Sequence, residues 1–508
     1  MLGKLRKLLL CGFLLFLSSC AAVAEDHPRF TPDDVAPQSL GGGFASLASN
    51  LQREHGADAS GFILLDTNED GLRWRLALID QSRHTLDIQC FVWYGDTAGF
   101  LLLKHVVLAA DRGVHVRIIV DDLLTFRRDF ATARLDVHPN IEIRFFNPWM
   151  KRSIPGRVVE GLERVEQLNQ RMHNKLLVAD NQAAVVGGRN IGDEHFGLNP
   201  KYNFHDLDVL GVGPVARQVS SAFDAYWNST WVVPAAALNG EVSPADVKTT
   251  YERISRKLGE SKALDRFSSG PGDWSQKFNS LSGSLRVGRS RVLYDSPEVD
   301  ALRHYVPAAV QDLFSTAREE LLIVNAYVIP DSKMIDSLRA LRQRGVNVRI
   351  LTNSLASHKI PAINSHYKKW RKPLLEAGVD LYEIRPDASV RRLVADTPPT
   401  ESEFMSLHIK AAVVDRRQIY IGSMNLDPRS MELNSEVGAL IESPALAEDL
   451  ARLIERGMAP GNSWRLLIDP RGDLQWVSGS EVLRVQPARS IWQRVQDWFF
   501  MIFPSSLY

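Results

Sequence analysis

Two stretches decide how this chain is read: "RMHNKLLVADNQAAVVGGRN" at Arg171–Asn190 and "SLHIKAAVVDRRQIYIGSMN" at Ser406–Asn425. Each contains His, one residue, Lys, four residues and Asp, giving His173, Lys175 and Asp180 in the first and His408, Lys410 and Asp415 in the second. The histidines lie 408 − 173 = 235 residues apart, and an asparagine follows at matching distance, Asn190 and Asn425. Residues two apart on a strand share a face, so each His/Lys pair points one way. The apolar runs "LLVA" and "AAVV" lead to a polar turn at Asp180 or Asp415 and return as "AAVVGG" or "IYIG". Each motif is therefore predicted to be a β-hairpin whose two ends meet, with the asparagine near the histidine. The aspartates fall at the far, turn end, which argues for a structural role.

The repeat runs beyond the motifs. "RHTLDIQCFVWY" from Arg83, a helical stretch from Ala98 and "HVRIIVDD" from His115 match "REELLIVNAYVI" from Arg318, "MIDSLRALRQRGV" from Met334 and "NVRILTNS" from Asn347. "NIEIRFFNP" from Asn140 and "GVDLYEIRP" from Gly378 are a further pair. Short Val/Ile-rich runs alternating with three- and four-residue apolar periodicity predict an α/β fold. We expect two pseudo-symmetric lobes, each a mixed sheet flanked by helices, with one active site at their interface. The lobes are placed at 61–240 and 291–480, with an irregular lead-in at 21–60, a Gly/Ser/Pro-rich linker at 241–290 and an aromatic amphipathic segment at 481–508.

Composition fits a globular protein of more than one domain: 508 residues, 45% hydrophobic and 24% charged. Lys plus Arg equals Asp plus Glu, 60 against 60. That balance disfavours a dedicated nucleic-acid partner. At the start, Lys4, Arg6 and Lys7 precede the apolar run Leu8–Leu17, which is too short to span a bilayer and fits an export signal. Leu17-Ser18-Ser19-Cys20 resembles a lipobox, so residues 1–20 are read as a lipoprotein-type signal, with cleavage near Ala24 as the alternative. The expected location is the bacterial envelope, exported, facing the periplasm and anchored through Cys20. Removing Cys11 with the signal and acylating Cys20 leaves Cys90 without a partner for an internal disulfide. At the C-terminus, Ile491, Trp492, Val495, Trp498, Phe499 and Ile502 fall largely on one helical face. That face would lie either in a membrane interface or against the protein's own core.

Two imidazoles in different protonation states can serve as nucleophile and general acid. Lysine and asparagine donors stabilise a pentacoordinate phosphoryl group. The set suits displacement at a phosphodiester through a phosphohistidine. It does not suit a metal, since a lysine beside each histidine repels a cation; no cofactor is expected. Each histidine also needs an orienting acceptor, for which "LNSEVGALI" offers Glu436 and "FHDLDVLGV" offers Asp208 at the equivalent place before Val, with Asp206 a nearby rival.

These residues resemble the signature of the phospholipase D superfamily, a duplicated His-x-Lys-x4-Asp. "GSMNLDPRSMELNSE", "VVGGRNIGDEHFG" and "LTNSLAS" bring the resemblance to the C branch of the bacterial cardiolipin synthases. The paired N-terminal membrane helices of other cardiolipin synthases have no counterpart here, which fits that branch. The likeness runs from about Thr85 to the C-terminus. It departs at Asn364-Ser365-His366-Tyr367, where relatives show His-x-x-Tyr, which bears on headgroup specificity. The resemblance implies phospholipid substrates, phosphatidylglycerol with or without phosphatidylethanolamine, at a membrane surface. It also implies His173 as nucleophile and His408 as acid/base, an assignment that near-symmetry leaves reversible. Hydrolysis to phosphatidic acid, a nuclease of the same superfamily and a non-catalytic lipid-binding scaffold are the alternatives.

Overall fold

The structure, a computed structural model, describes residues 41–123, 138–151, 153–239, 244–267, 272, 274–299 and 301–503. The export signal, the lipobox and Cys20 lie outside the described residues.

The first half supplies strands β1 (Ser60–Leu65), β2 (Thr85–Cys90), β3 (His115–Asp121), β4 (Ile141–Phe146), β5 (Leu176–Ala179), β6 (Ala183–Gly187) and β7 (Asp208–Val212). The second half repeats them in order as β8 (Arg286–Tyr294), β9 (Glu320–Asn325), β10 (Asn347–Asn353), β11 (Asp380–Ile384), β12 (Lys410–Val414), β13 (Gln418–Gly422) and β14 (Val437–Glu442). In each half the order across the sheet is the same: the fourth, third and second strands are parallel. The fifth, sixth, seventh and first then follow antiparallel. The parallel strands are nearly continuous in Val, Ile and Leu because helices cover both of their faces. Helices α1 (Asn68–Gln81) and α2 (Thr97–Asp111) start at Thr67 and Asp96, whose side chains accept from the N–H groups of Asp70 and Gly99. Asp331 caps α3 (Ser332–Gln343) in the same way, as the counterpart of Asp96.

The halves are fused more closely than a linker model requires. Strand β1 pairs antiparallel with the start of β8, Gly61 opposite Val287, so the two sheets become one continuous mixed sheet. Helices Pro214–Trp227 and Pro444–Met458 pack into a central apolar cluster that draws on both halves, including Trp227, Phe223, Leu450, Ile454, Met405 and Val437. Separate apolar clusters cover the outer side of each half. The described residues accordingly form a single unit.

Two segments hold more regular structure than expected. The segment read as linker contains helices Pro244–Gly259 and Ser275–Ser284 and the first residues of β8. The lead-in read as irregular holds helix Gly43–His55, whose Phe44, Ala45 and Ala48 are buried. Glycine and serine content marked both as loops, yet tertiary burial of a few apolar side chains suffices to order them.

Candidate active site

Both motifs form the expected hairpins, β5–β6 and β12–β13. Consecutive residues at the turns have positive φ, Asp180 and Asn181 at 53° and Asp415 and Arg416 at 50° and 49°. The aspartate carboxylates do not reach the histidines. Asp180 accepts the backbone N–H groups of Arg83, His84 and Thr85 at 2.9, 2.7 and 3.0 Å. Asp415 does the same for Arg318, Glu319 and Glu320, with shortest contacts of 3.0, 2.8 and 2.9 Å. Each turn carboxylate thus satisfies the start of the neighbouring strand, β2 or β9, and serves the scaffold.

The histidines are held crosswise, each by the other half. His173 N–H donates to Ser435 O at 2.9 Å, and His173 Nδ1 lies 2.9 Å from Glu436 Oε2. His408 N–H donates to His205 O at 2.8 Å, and His408 Nδ1 lies 2.6 Å from Asp206 Oδ2. With Nδ1 engaged by a carboxylate, Nε2 is the ring nitrogen left for chemistry. The two lysines are almost fully buried, and each Nζ donates to the carbonyl of its own histidine, at 2.5 Å for Lys175 and 2.6 Å for Lys410. Asn190 and Asn425 are buried and their side-chain oxygens have no hydrogen-bond partner among the described residues. Such groups are stable where a ligand completes them.

One expected site residue is corrected. Asp208 does not orient a histidine. It receives Arg75 at 2.7 Å and Arg189 at 3.0 Å in a buried ion cluster. The orienting carboxylate is Asp206. The register explains the slip: Gly187 pairs with Asp208 in the first half and Gly422 with Gly438 in the second. Asp206 is therefore the spatial counterpart of Glu436, and aligning the two valines displaced the match by two residues. Gly188 makes room for it, since a Cβ there would come 2.2 Å from Asp206 Oδ1.

His195 is a site residue absent from the expectations. Its Nδ1 lies 3.1 Å from the same Asp206 Oδ2, its Nε2 lies 3.4 Å from Asn190 Nδ2, and its ring centroid is 5.0 Å from that of His408. No repeat signal exposes it, because the residue five after Asn425 is Ser430 where the residue five after Asn190 is His195. Glu436 has a different second partner, the hydroxyl of Ser423. His195, Asp206 and His408 hold ligand atoms within 4.8 Å of one another. Both imidazoles meet one carboxylate oxygen at hydrogen-bond distance, and Lys410 Nζ stands 3.0 Å from His408 Nδ1. This donor set is that of a hydrogen-bonded relay with a lysine amine beside it.

Burial dominates the site's protonation. It lowers both catalytic-candidate histidines well below the ordinary value, aided at His173 by Lys175 and Lys410 and at His408 by Lys410. Burial also brings Lys175 down to about 7 and Lys410 to about 8. The carboxylates differ. Burial raises Glu436 to about 7, whereas at Asp206 the burial penalty is outweighed by His408, His195 and Lys410 and the group is held well below the usual range.

The described residues contain no helix long and apolar enough to cross a membrane. The family model described as "Cardiolipin synthase, PLD-like domain" matches residues 76–227 and 310–458, once per half. The chain is 34% identical over 470 residues to cardiolipin synthase C of Escherichia coli (strain K12), covering 87% of this chain and 95% of that protein. It is 25% identical over 390 residues to the major cardiolipin synthase of Bacillus subtilis (strain 168), covering 76% and 66%. Among solved structures, the phosphatidylserine synthase of Haemophilus influenzae Rd KW20 superposes with a TM-score of 0.54 over 82% of this chain and 91% of that one, at 14% identity, a likeness of fold. Two family matches laid over two interlocked histidine hairpins leave one conclusion: this chain belongs to the phospholipase D-like cardiolipin synthase family.

Proposed function

We propose that this phospholipase D-type phosphatidyltransferase makes cardiolipin from phosphatidylglycerol and a second phospholipid, through a phosphohistidine and without a metal. The observation that carries the reading is the crosswise pair of histidine–carboxylate dyads beside two buried lysines. His173 Nε2 attacks the phosphorus, and the bond from phosphorus to the headgroup oxygen breaks. His408 supplies the proton that this oxygen takes up. The hydroxyl of an incoming phosphatidylglycerol then gives its proton to His408 as its oxygen bonds to phosphorus and the phosphorus–nitrogen bond opens, which restores both imidazoles. Lys175, Lys410, Asn190 and Asn425 supply donors to the phosphoryl oxygens, whose charge grows in the transition state.

The inequivalence of the dyads supports this division of roles. A firmly anionic Asp206 favours a proton on His408, as an acid requires. Glu436, pushed up to about 7 by burial, holds a proton part of the time and stabilises an imidazolium less, so His173 stays a neutral nucleophile. An anionic phosphodiester in the site raises the affinity of His408 for its proton, which readies the acid only when substrate is present.

The deciding experiment is lipid analysis by mass spectrometry after incubating the protein and its His173→Ala variant, with chelator, on phosphatidylglycerol alone or mixed with phosphatidylethanolamine. Cardiolipin from the unaltered protein only is the expected result, and the mixture required identifies the donor. Phosphatidic acid as sole product would make water the acceptor and the protein a hydrolase. Absence of any product would overturn the catalytic reading.

A further inference from the structure

The C-terminal helix Ile491–Phe499 is mounted the opposite way to a helix on a globular core. Its polar side faces the protein. Gln493 Nε2 donates to Leu355 O at 2.6 Å, and Asp497 accepts from Asn364 Nδ2 and Lys368 Nζ, both at 2.7 Å. Gln493 and Asp497 are buried. The apolar side faces outward: Ile491 is 82% exposed, Trp492 66% and Trp498 63%, with Val495 and Phe499 beside them. The following turn continues the surface through Met501, Ile502 and Phe503, with Ile502 69% exposed. A contiguous apolar patch of this kind on a folded chain marks a docking surface.

Cations stand around it. Arg494 on the helix and Lys369 on the adjoining segment are exposed, and Lys368 of that segment holds Asp497. Tryptophan and phenylalanine on one face with basic side chains at its border match an anionic phospholipid surface, where indole rings sit at headgroup level and lysine and arginine meet phosphate. A second copy of this chain would bring the same cations against themselves.

The seat of the helix is linked to segments that lead into the site. Leu355 and His358, which receive Gln493, follow β10. The His358 ring stacks on Tyr327 at 5.9 Å, two residues beyond β9. Arg489 donates to His358 O and lies 3.4 Å over the ring of Phe404, in the strand that leads into His408. Asn364, on the segment this helix packs against, is buried. Asn364 bonds Asp497 and Arg371 there. Asn364 therefore helps to seat the helix.

We propose that the face Ile491–Phe503 enters an anionic phospholipid surface and seats the active site against it. This deepens the phosphatidyltransferase reading and rests on it for the purpose of the contact, though not for the contact itself. The test uses the full chain and vesicles of phosphatidylcholine, with or without phosphatidylglycerol, carrying bromine on their acyl chains. Bromine quenches indoles that reach the acyl region. Quenching greater for the unaltered protein than for Trp492→Phe/Trp498→Phe, and stronger with phosphatidylglycerol, is expected. Equal quenching in both would overturn the proposal, as would a dimer in lipid-free solution that the double variant dissociates. In parallel, Trp492→Glu/Trp498→Glu is expected to lower turnover on vesicles by about tenfold or more while leaving turnover of a short-chain, monomerically dispersed lipid unchanged. Equal loss on both substrates would count against a surface role. A protein with no turnover on either lipid whose quenching still depends on the two indoles would sink the enzyme reading and support this one.

Discussion

Neutralising Asp206 or Asp208 one at a time separates chemistry from scaffold within a span of three residues. Asp206 contacts His408 at 2.6 Å and His195 at 3.1 Å, and among the described residues of the first half no other carboxylate bonds His408. A hydrogen bond to a charged group contributes about 1.5–3 kcal/mol, more when buried. If the His408 bond strengthens as the imidazolium forms, Asp206→Asn forfeits about 3 kcal/mol of transition-state stabilisation, or roughly two orders of magnitude in rate. Asp208→Asn instead leaves Arg75 and Arg189 facing each other without their shared anion. Breaking a buried pair in that way costs about 3–5 kcal/mol of folding stability. The assay is release of headgroup from labelled phospholipid, normalised to folded protein by circular dichroism, with thermal unfolding measured alongside. Asp206→Asn should fold and turn over slowly; Asp208→Asn should unfold early, with its folded fraction turning over within a few-fold of the unaltered protein. A stable Asp208→Asn protein that has lost its rate, beside a near-normal Asp206→Asn, would refute the register argued here.

Further outcomes follow from the same geometry. Asp180→Ala orphans three backbone N–H groups of the neighbouring segment and should cost about 2–4 kcal/mol in denaturant unfolding while turnover per folded molecule persists. Lys175→Met should abolish turnover yet raise the unfolding temperature at pH 8. The folded pKa of about 7 lies below the usual lysine value, so between the two the unfolded chain binds more protons and this lysine's contribution to stability rises with pH. For the same reason, binding of a phosphodiester analogue at pH 8 should take up protons as Lys175 and Lys410 charge, read by calorimetry in buffers of different ionisation enthalpy; proton release would contradict it. His195→Ala should lower turnover about tenfold and shift the pH profile, with partial rescue by His195→Gln, whereas a purely structural histidine would alter stability and leave the profile in place.

How much of this was legible in the sequence depends on whether a feature repeats. The hairpins, the twofold alternation of strands and helices and the duplicated His, Lys and Asn positions were readable because each occurs twice at fixed spacing, and periodicity of side chains on a strand is a local property. The crosswise pairing was not, since nothing in the spacing says that Glu436 serves His173. Asp206 was misplaced because aligning Val209 with Val437 runs two residues out of register with the strands, an offset that only the ladder Gly187–Asp208 against Gly422–Gly438 exposes. His195 was invisible because its counterpart is Ser430. The C-terminal helix was readable as amphipathic, but which face turns inward depended on Asn364, Lys368 and the Leu355 and His358 carbonyls, more than a hundred residues away.

The exchange of partners between halves bears on why the duplication persists as one chain. Neither half holds a complete dyad: His173 without Glu436, or His408 without Asp206, would be a buried imidazole with its Nδ1 unsatisfied and its tautomer free. The continuous sheet through β1 and β8 and the shared central cluster fix the distance between halves, so that folding and assembly of the site are one event. A site built from two equal halves also faces a difficulty, because displacement through a covalent intermediate needs one imidazole neutral and one able to hold a proton. The chain breaks its own symmetry away from the repeated residues. Asp206 takes a second imidazole, His195, where Glu436 takes a hydroxyl, Ser423. Two carboxylates with different second partners make the dyads inequivalent, and in the proposed mechanism it is that inequivalence, more than the identity of the histidines, that would divide nucleophile from acid.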